Sequence, residues 1–134
     1  MYTFKKEERL CNKGLLEQLF HKGSSFLCYP FRASWLLAPD DLPAQVQVVF
    51  PVARKRYKHA VQRNLIRRRM REAYRLHKQQ HLYDQLNQAN IKLVLSLNYI
   101  GKEILPYQQM EKKMLKLFSQ LCEQATNEQH RQLS

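Results

Sequence analysis

Residues 52–78 read VARKRYKHAVQRNLIRRRMREAYRLHK and contain the strongest pattern in the chain. The run begins as the apolar end of a strand, passes through a basic loop and continues as a helix. Between Arg54 and Lys78 it holds 11 of the protein's 23 Lys and Arg residues and a single acid, Glu72. Charge this concentrated indicates one binding surface for a polyanion, and the rest of the chain is expected to be its scaffold.

The helix of this run, predicted over His59 to about His81, has two distinct faces. At about 100° per residue, one arc is apolar and should pack on a sheet. That arc consists of Ile66, Met70, Ala73, Tyr74 and His77, and the neighbouring arc consists of Asn64, Arg67, Arg68, Arg71, Arg75 and Lys78. Guanidinium groups bind phosphate through a planar fork, whereas a merely solvated face would more often mix Lys with Glu. We therefore predict a nucleic-acid face that also includes Arg63.

The loop ahead of the helix extends the same surface. Its basic side chains, together with the backbone N–H groups at the helix start, are expected to attract phosphate. These side chains are Arg54, Lys55, Arg56 and Lys58. Tyr57 lies among them, and two roles are open for it, stacking a base or sealing the loop.

Apolar residues alternate with polar ones in three other stretches, which predicts three strands. They run over Phe26 to Leu37, Gln45 to Ala53 and Ile91 to Tyr99. A period of two places every second side chain on the same face of a sheet, so each strand should have one face in the core. The pattern shows no fourth strand directly.

Two further helices complete the predicted order α-β-β-α-β-α. An amphipathic helix is expected over Asn12 to His21, ended by Gly23, and a last helix is expected to begin at Pro106. Helices and strands in this order predict a small α+β fold with helices packed on a sheet. We expect one domain over residues 1–125 and a polar C-terminal tail over residues 126–134.

Composition narrows the class of protein. The chain has 134 residues, 44% hydrophobic and 25% charged, with a net charge of +12, which fits a folded domain with a polyanionic partner, nucleic acid or less often an acidic membrane surface. No secretory signal and no membrane-spanning segment is expected. Cys11, Cys28 and Cys122 form no CxxC pair, which argues against a zinc ribbon. We expect a reducing, cytoplasmic setting.

No stretch has the pattern of a catalytic or metal-binding site. His77 and His81 stand four residues apart and could hold a metal, but no third ligand is apparent. Asp40 and Asp41 lie in a proline-flanked turn and are expected at a loop tip. We predict no catalytic residue and no metal site in the protein itself.

Around the basic run, the residues resemble those of a known family, the bacterial ribonuclease P protein component. The resemblance rests on Arg63-Asn64, Arg67-Arg68 and residues 71–75 (REAYR), and it continues into residues 19–23 (LFHKG) and 29–32 (YPFR). The family motif usually has a third arginine where this chain has Leu65. Arg67, Arg68 and Arg69 are expected to compensate for it.

The resemblance implies a function. The family's protein is a small basic subunit, expected here to be monomeric, bound to a large catalytic RNA. The ribonucleoprotein is an endoribonuclease that removes the 5′ leader from precursor tRNA, and the RNA holds the Mg²⁺ and performs the chemistry. The basic helix faces the RNA, and a cleft between the sheet and the first helix holds the leader. In this chain the expected cleft residues are Phe20, Phe31 and Tyr57.

The resemblance also implies a fold, a four-stranded sheet with a left-handed βαβ crossover, like that of a ribosomal protein domain. Two other functions stay open on the residues alone. The composition also suits a ribosomal or other structural RNA-binding protein. A DNA-binding regulator could lay the basic helix in a major groove, but its arginines leave few side chains besides Gln62 and Asn64 to read base edges.

Overall fold

A computed structural model describes residues 3–133. Its helices are α1 (Lys13–Lys22), α2 (Ala60–Lys78), α3 (Asp84–Gln88) and α4 (Tyr107–Leu133), and its strands are β1 (Ser24–Cys28), β2 (Phe31–Leu37), β3 (Val46–Val49) and β4 (Leu93–Tyr99). A 3₁₀ turn, Lys6–Glu8, precedes α1, and a π-helical turn, Gln79–Tyr83, joins α2 to α3. The predicted α+β class is confirmed.

The strands form one mixed sheet in the order β1-β2-β4-β3. β1 and β2 are an antiparallel hairpin, β2 is antiparallel to β4, and β3 runs parallel to β4. The segment 26–37, expected as one strand, is interrupted because Tyr29 and Pro30 make a turn inside it. The resulting hairpin supplies the fourth strand. α2 lies in the connection between the parallel strands β3 and β4, and the left-handedness of that crossover stays a prediction.

Alternation along the strands gives the sheet two faces. On one face, Phe31 and Trp35 of β2 and Leu95 of β4 belong to the main core, which also contains the buried sides of α2 and α4. The opposite face carries a smaller cluster, in which Leu19 of α1 packs with Val94 of β4. The sheet is therefore sandwiched between α1 on one side and the α2–α4 layer on the other.

The ends of α1 agree with the predicted ones. Asn12 caps the N-terminus, since its side-chain oxygen accepts a hydrogen bond from the Leu15 N–H at 3.1 Å. Gly23 ends the helix, and its N–H donates to the Leu19 carbonyl oxygen at 2.9 Å. A Cβ on Gly23 would collide with that oxygen and press against the Trp35 carbonyl, so the close passage from α1 into β1 requires glycine.

Two helical segments run further than predicted. The helical path that starts with α2 continues through the π-helical turn and α3 to Gln88, because Leu82 and Leu86 still find buried positions in the core. α4 continues to Leu133, so the segment expected as a polar tail is helical over 126–133. Ala125 is the last buried residue of α4. Beyond it the helix continues without core packing, and Gln129 donates to the Asn90 carbonyl oxygen at 3.4 Å.

Candidate nucleic-acid interface

The arginine row of α2, which consists of Arg67, Arg68, Arg71 and Arg75, lies on the solvent side of the helix. Asn64, Arg68 and Arg71 are exposed, and Arg67 and Arg75 are half-buried. The opposite side of the helix is buried through Ile66, Met70, Ala73 and Tyr74. The predicted division of this helix into a core face and a basic face is thus confirmed.

The arginines of the row differ in how far they are engaged. Arg67 donates to the Asn64 side-chain oxygen at 3.3 Å, and Arg75 forms an ion pair with Glu72. Arg68 and Arg71 make no hydrogen bond or ion pair with any residue from 3 to 133. Because like charges one turn apart destabilise a free helix, such a row is stabilised when a polyanion neutralises it.

Lys78, expected at the end of this row, lies inside the protein instead. Its ammonium group forms an ion pair with Glu8 and donates to the Thr3 carbonyl oxygen. The Glu8 carboxylate also accepts from the Tyr83 hydroxyl and, at 2.7 Å, from the Lys5 N–H. The prediction for Lys78 is wrong because the N-terminal segment, residues 3–11, crosses the end of α2 and buries this side chain. The helical period alone does not reveal that contact.

Lys78 and Glu8 shift each other's pKa toward the charged form. Burial lowers the pKa of Lys78, and the hydrogen bond and charge of Glu8 oppose that change. Burial acts to raise the pKa of Glu8, but hydrogen bonds from Lys78, Tyr83 and the Lys5 N–H outweigh it, so the pKa is lowered. Each group thus favours the charged form of the other, and the ion pair holds the N-terminal segment in addition to packing.

The loop ahead of α2 keeps most of its charge in solvent. Arg54, Lys55 and Lys58 are exposed, as predicted for a phosphate-binding loop. Arg56 is exposed too, and its guanidinium donates to the Ile100 carbonyl oxygen at 3.2 Å. The loop is therefore tied to the segment that follows β4 while its other cations stay free to meet a ligand.

Tyr57 seals this loop. The side chain is only 6% exposed, and its hydroxyl donates to the Gly101 carbonyl oxygen at 2.7 Å. Its ring lies 6.1 Å from the Tyr99 ring in the core. No ring face is open to a base, so the assignment of Tyr57 to the leader cleft is wrong. The sequence left both roles open because the partner, Gly101, is 44 residues away.

Arg63 closes the same loop from the helix side. Its Nη1 donates to the carbonyl oxygens of Tyr57 and Lys58, both at 2.8 Å. His59, the residue at the N-cap of α2, provides no side-chain cap. With its guanidinium engaged in this way, Arg63 shapes the loop rather than extending the open row.

Arg69 has a comparable role on another side of α2. Its Nη1 donates to the Leu105 carbonyl oxygen at 2.7 Å and ties the helix to the β4–α4 loop. Of the three consecutive arginines expected to compensate for Leu65, only Arg67 and Arg68 thus point their charge to the basic face. The sequence does not separate these roles, because Leu105 lies 36 residues away.

The expected leader cleft requires a correction at Phe31. This side chain is fully buried in the main core, where its ring lies 6.0 Å from that of Tyr99. Phe31 faces α4 and not α1, because its side chain lies on the face of β2 that packs in the main core. Phe20, by contrast, is 66% exposed on α1 and stays available to a ligand.

The side chains on the other face of the sheet form an open surface that was not predicted. Leu27 of β1 pairs with Arg32 of β2, and Arg32 pairs with Asn98 of β4. Leu27 is 60% exposed and Arg32 is exposed. Strand alternation could have predicted this face, because successive side chains point to opposite faces: if Phe31 lies in the main core, Arg32 lies on the α1 side of the sheet.

The chemical groups that the site offers are cations, hydrogen-bond donors and a ring. Across residues 3–133, no three His, Cys, Asp or Glu side chains come together as a metal site would need. His77 is hydrogen-bonded to Glu111 of α4 at 2.7 Å, between Nε2 and Oε2. Between Thr3 and Leu133, no helix has the length and apolar character needed to cross a membrane. The arrangement is suited to binding a polyanion.

Comparison with known proteins agrees with this geometry. A family model described as Ribonuclease P matches residues 4–122. The chain belongs to the ribonuclease P family. A Porphyromonas gingivalis protein named ribonuclease P protein component is 32% identical over 116 residues, which cover 86% of this chain and 83% of that protein. A Chlorobium phaeobacteroides protein of the same name is 35% identical over 106 residues, which cover 74% and 73%.

Solved ribonuclease P proteins share the fold. The Thermotoga maritima protein has a TM-score of 0.67 and 19% identity, over 84% of this chain and 96% of its own. The Staphylococcus aureus protein has a TM-score of 0.62 and 18% identity, over 80% and 88%. The ribonuclease P family match starts at residue 4, so it includes the N-terminal segment, and it ends close to where α4 leaves the core.

Proposed function

We propose that this chain is the protein subunit of ribonuclease P, which binds a catalytic RNA and the 5′ leader of precursor tRNA and so assists formation of the mature tRNA 5′ end. The observation that carries the proposal is the exposed row of α2. There, Arg68 and Arg71 have no partner within the described residues, and the buried side of the helix holds the row rigidly on the sheet.

The protein's contribution is electrostatic. Two polyanions, the catalytic RNA and the precursor tRNA, repel each other, and guanidinium groups that neutralise phosphates reduce that repulsion. Each phosphate contact also releases condensed counterions, which makes binding sensitive to salt. The row on α2 and the loop cations Arg54, Lys55 and Lys58 would bind the catalytic RNA.

The leader would lie on the open face of the sheet beside α1. Phe20 offers an exposed ring for a base, Leu27 offers apolar surface, and Arg32 offers a cation for the backbone. Exposed aromatic rings combined with cations bind single strands without reading sequence. A leader of any sequence fits this chemistry, as a general tRNA-processing activity requires.

The cleavage chemistry would belong to the RNA. The residues described here do not fit a metal site of their own, because they bring no cluster of carboxylate or imidazole ligands together. Mg²⁺ held by the RNA would supply the Lewis acid for phosphodiester hydrolysis. The chain's own residues position the substrate and neutralise charge, and none of them moves a proton. A cytoplasmic location and a monomeric protein belong to the same proposal.

Binding specificity tests the proposal directly. The chain should bind a ribonuclease P RNA transcript more tightly than a ribosomal RNA fragment of equal length at the same salt, and the mixture should release the leader of precursor tRNA with a mature 5′ end. Equal affinity for both RNAs without any effect on cleavage would favour the other candidate, a structural RNA-binding protein.

A further inference from the structure

A cavity of about 220 Å³ lies where the N-terminal segment meets α2. The Leu10 N–H donates to the Val48 carbonyl oxygen at 3.0 Å, and Arg9 pairs with Val48 as in a parallel sheet, so this segment runs along the outer edge of β3. The segment forms one wall of the cavity and α2 forms the other, through Arg67 and Arg71.

The lining combines an apolar floor with a cationic rim. The floor consists of Phe4, Leu10, Val48, Val49 and Phe50, and the charged lining residues are Arg9, Arg67 and Arg71. No carboxylate lines this cavity. A larger cavity, of about 750 Å³, is lined by Glu7 and Glu8 together with Lys5 and Lys78, so its lining has no net positive charge. The smaller cavity therefore has the charge that suits RNA.

The position of the rim relates the cavity to the row on α2. Arg67 and Arg71 are one turn apart, so an RNA backbone bound along the row passes the mouth of the cavity. Phosphate contacts alone would need only the arginines. The apolar floor adds a preference for a flat, largely apolar group attached to that backbone, which is a nucleobase.

We propose that this cavity takes one unpaired base of the bound RNA, turned out of the strand, with its flanking phosphates on Arg67 and Arg71. Arg9 closes over the base and stacks on it through its guanidinium plane, as it already lies over the Phe4 ring at 5.8 Å. This inference rests on the proposed function, because it names the part of the RNA that the same surface reads. A fully paired helix offers no such base, so the site would select a bulge or loop.

Cys11 provides the probe for a test. It lines the mouth and is exposed, whereas Cys28 and Cys122 are buried, so a thiol-directed photocrosslinker should label Cys11 selectively. In the complex of the labelled chain with ribonuclease P RNA, we expect crosslinks to one unpaired nucleotide. Crosslinks confined to paired nucleotides, or to a second copy of the chain, would overturn the proposal.

Removal of the crosslinked base gives the energetic test. An RNA that is abasic at that nucleotide should bind the unlabelled chain about 5-fold to 150-fold more weakly than intact RNA, since that is the range for one stacked base. In Arg9→Ala, the same base removal should change the affinity much less, because the stacking partner is already absent. Lys13→Ala, a change of equal charge at an exposed residue outside the cavity, should keep the full effect.

The outcomes separate the two proposals. If the chain binds ribonuclease P RNA normally but is indifferent to the base in every variant, the cavity proposal fails and the proposed function stands. If the chain does not prefer ribonuclease P RNA at all, the proposed function itself fails. Arg9→Lys tests the plane of the guanidinium: it should behave like Arg9→Ala in the abasic comparison, and full retention of the base effect would contradict stacking by Arg9.

Discussion

The Arg63 guanidinium reaches across the start of α2 to the Tyr57 carbonyl oxygen, 2.8 Å away. The same nitrogen also donates to the Lys58 carbonyl oxygen. Arg63, a basic residue of the family motif, thus stabilises the conformation of the loop. The positive charge that faces solvent comes from other residues of α2, such as Arg68 and Arg71. Shape and charge can therefore be separated by substitution.

Arg63→Ala should weaken the fold and leave the salt dependence of RNA binding nearly unchanged. The loss of hydrogen bonds from a charged donor should lower the free energy of unfolding by about 1–3 kcal/mol. Urea unfolding and RNA binding at several salt concentrations measure the two effects. Arg68→Ala is the matched control, with unfolding changed by less than about 0.5 kcal/mol and a salt slope shallower by about one unit. Identical slopes for the two variants would contradict the assignment.

Glu8→Gln should destabilise the fold by about 3 kcal/mol or more at neutral pH, because it leaves the Lys78 ammonium buried without its counter-charge. Urea unfolding of wild type and variant checks this. Glu8→Gln combined with Lys78→Met should recover part of the loss, since no buried charge then remains. A double variant as unstable as the sum of the two single variants would show that the pair is not coupled.

The same ion pair predicts a pH dependence. Since the pKa of Glu8 is lowered in the folded state, its contribution to stability is present above the usual glutamate range and is lost as the pH falls through the lowered value. The free energy of unfolding of the wild type should therefore fall more steeply below about pH 4 than that of Glu8→Gln. If the free energies of unfolding of the two proteins fall in parallel in this pH range, Glu8 does not contribute to the loss of stability in acid.

Phe20→Ala and Phe31→Ala should have opposite effects. Phe31→Ala should cost about 3–5 kcal/mol of stability, because it opens a cavity in the main core. Phe20→Ala should leave stability almost unchanged and weaken binding of leader-bearing precursor tRNA by about 1–3 kcal/mol, with mature tRNA unaffected. Affinities of the reconstituted complex for the two RNAs decide this. A Phe20→Ala variant that binds both RNAs as the wild type does would exclude α1 from the leader site.

The purified chain alone should not cut precursor tRNA, and its addition to the RNA should lower the Mg²⁺ concentration needed for cleavage. The reason is that cations on the protein replace part of the charge neutralisation that Mg²⁺ otherwise provides. The effect should be strongest for substrates with long leaders, and rates measured across a Mg²⁺ series check it. Cleavage by RNA-free protein that is abolished by Asp41→Ala or His81→Ala would instead make the chain a nuclease.

The sequence predicts the regular parts of this fold because their information is local. The two-residue period identified the strand regions, and the 3.6-residue period separated the core face of α2 from its basic face. β3 ends at Val49 and not near Ala53, because Pro51 has no N–H for the ladder, and pairing resumes for one residue at Val52. Pro30 similarly marks the turn that divides the first predicted strand.

The parts that the sequence did not predict depend on contacts between distant residues. Lys78 looks like a member of the basic row until Glu8, 70 residues away, is placed beside it. Tyr57 looks available for stacking until its hydroxyl bonds to Gly101. The alternation along β2 already placed Phe31 on the same face as Ala33 and Trp35. Its aromatic ring nevertheless suggested a base-stacking role, because an aromatic side chain is compatible with either face of the strand.

The salt dependence of RNA binding in Arg67→Ala/Arg71→Ala tests the central claim most directly. With about five phosphate contacts, the wild-type slope of log K against log salt should be about −4, and the double variant should be shallower by about two units. Lys112→Ala/Lys116→Ala removes the same charge at the same spacing from the exposed side of α4 and should keep the wild-type slope. Equal slopes for the wild type and both double variants would contradict the claim that the α2 row binds RNA.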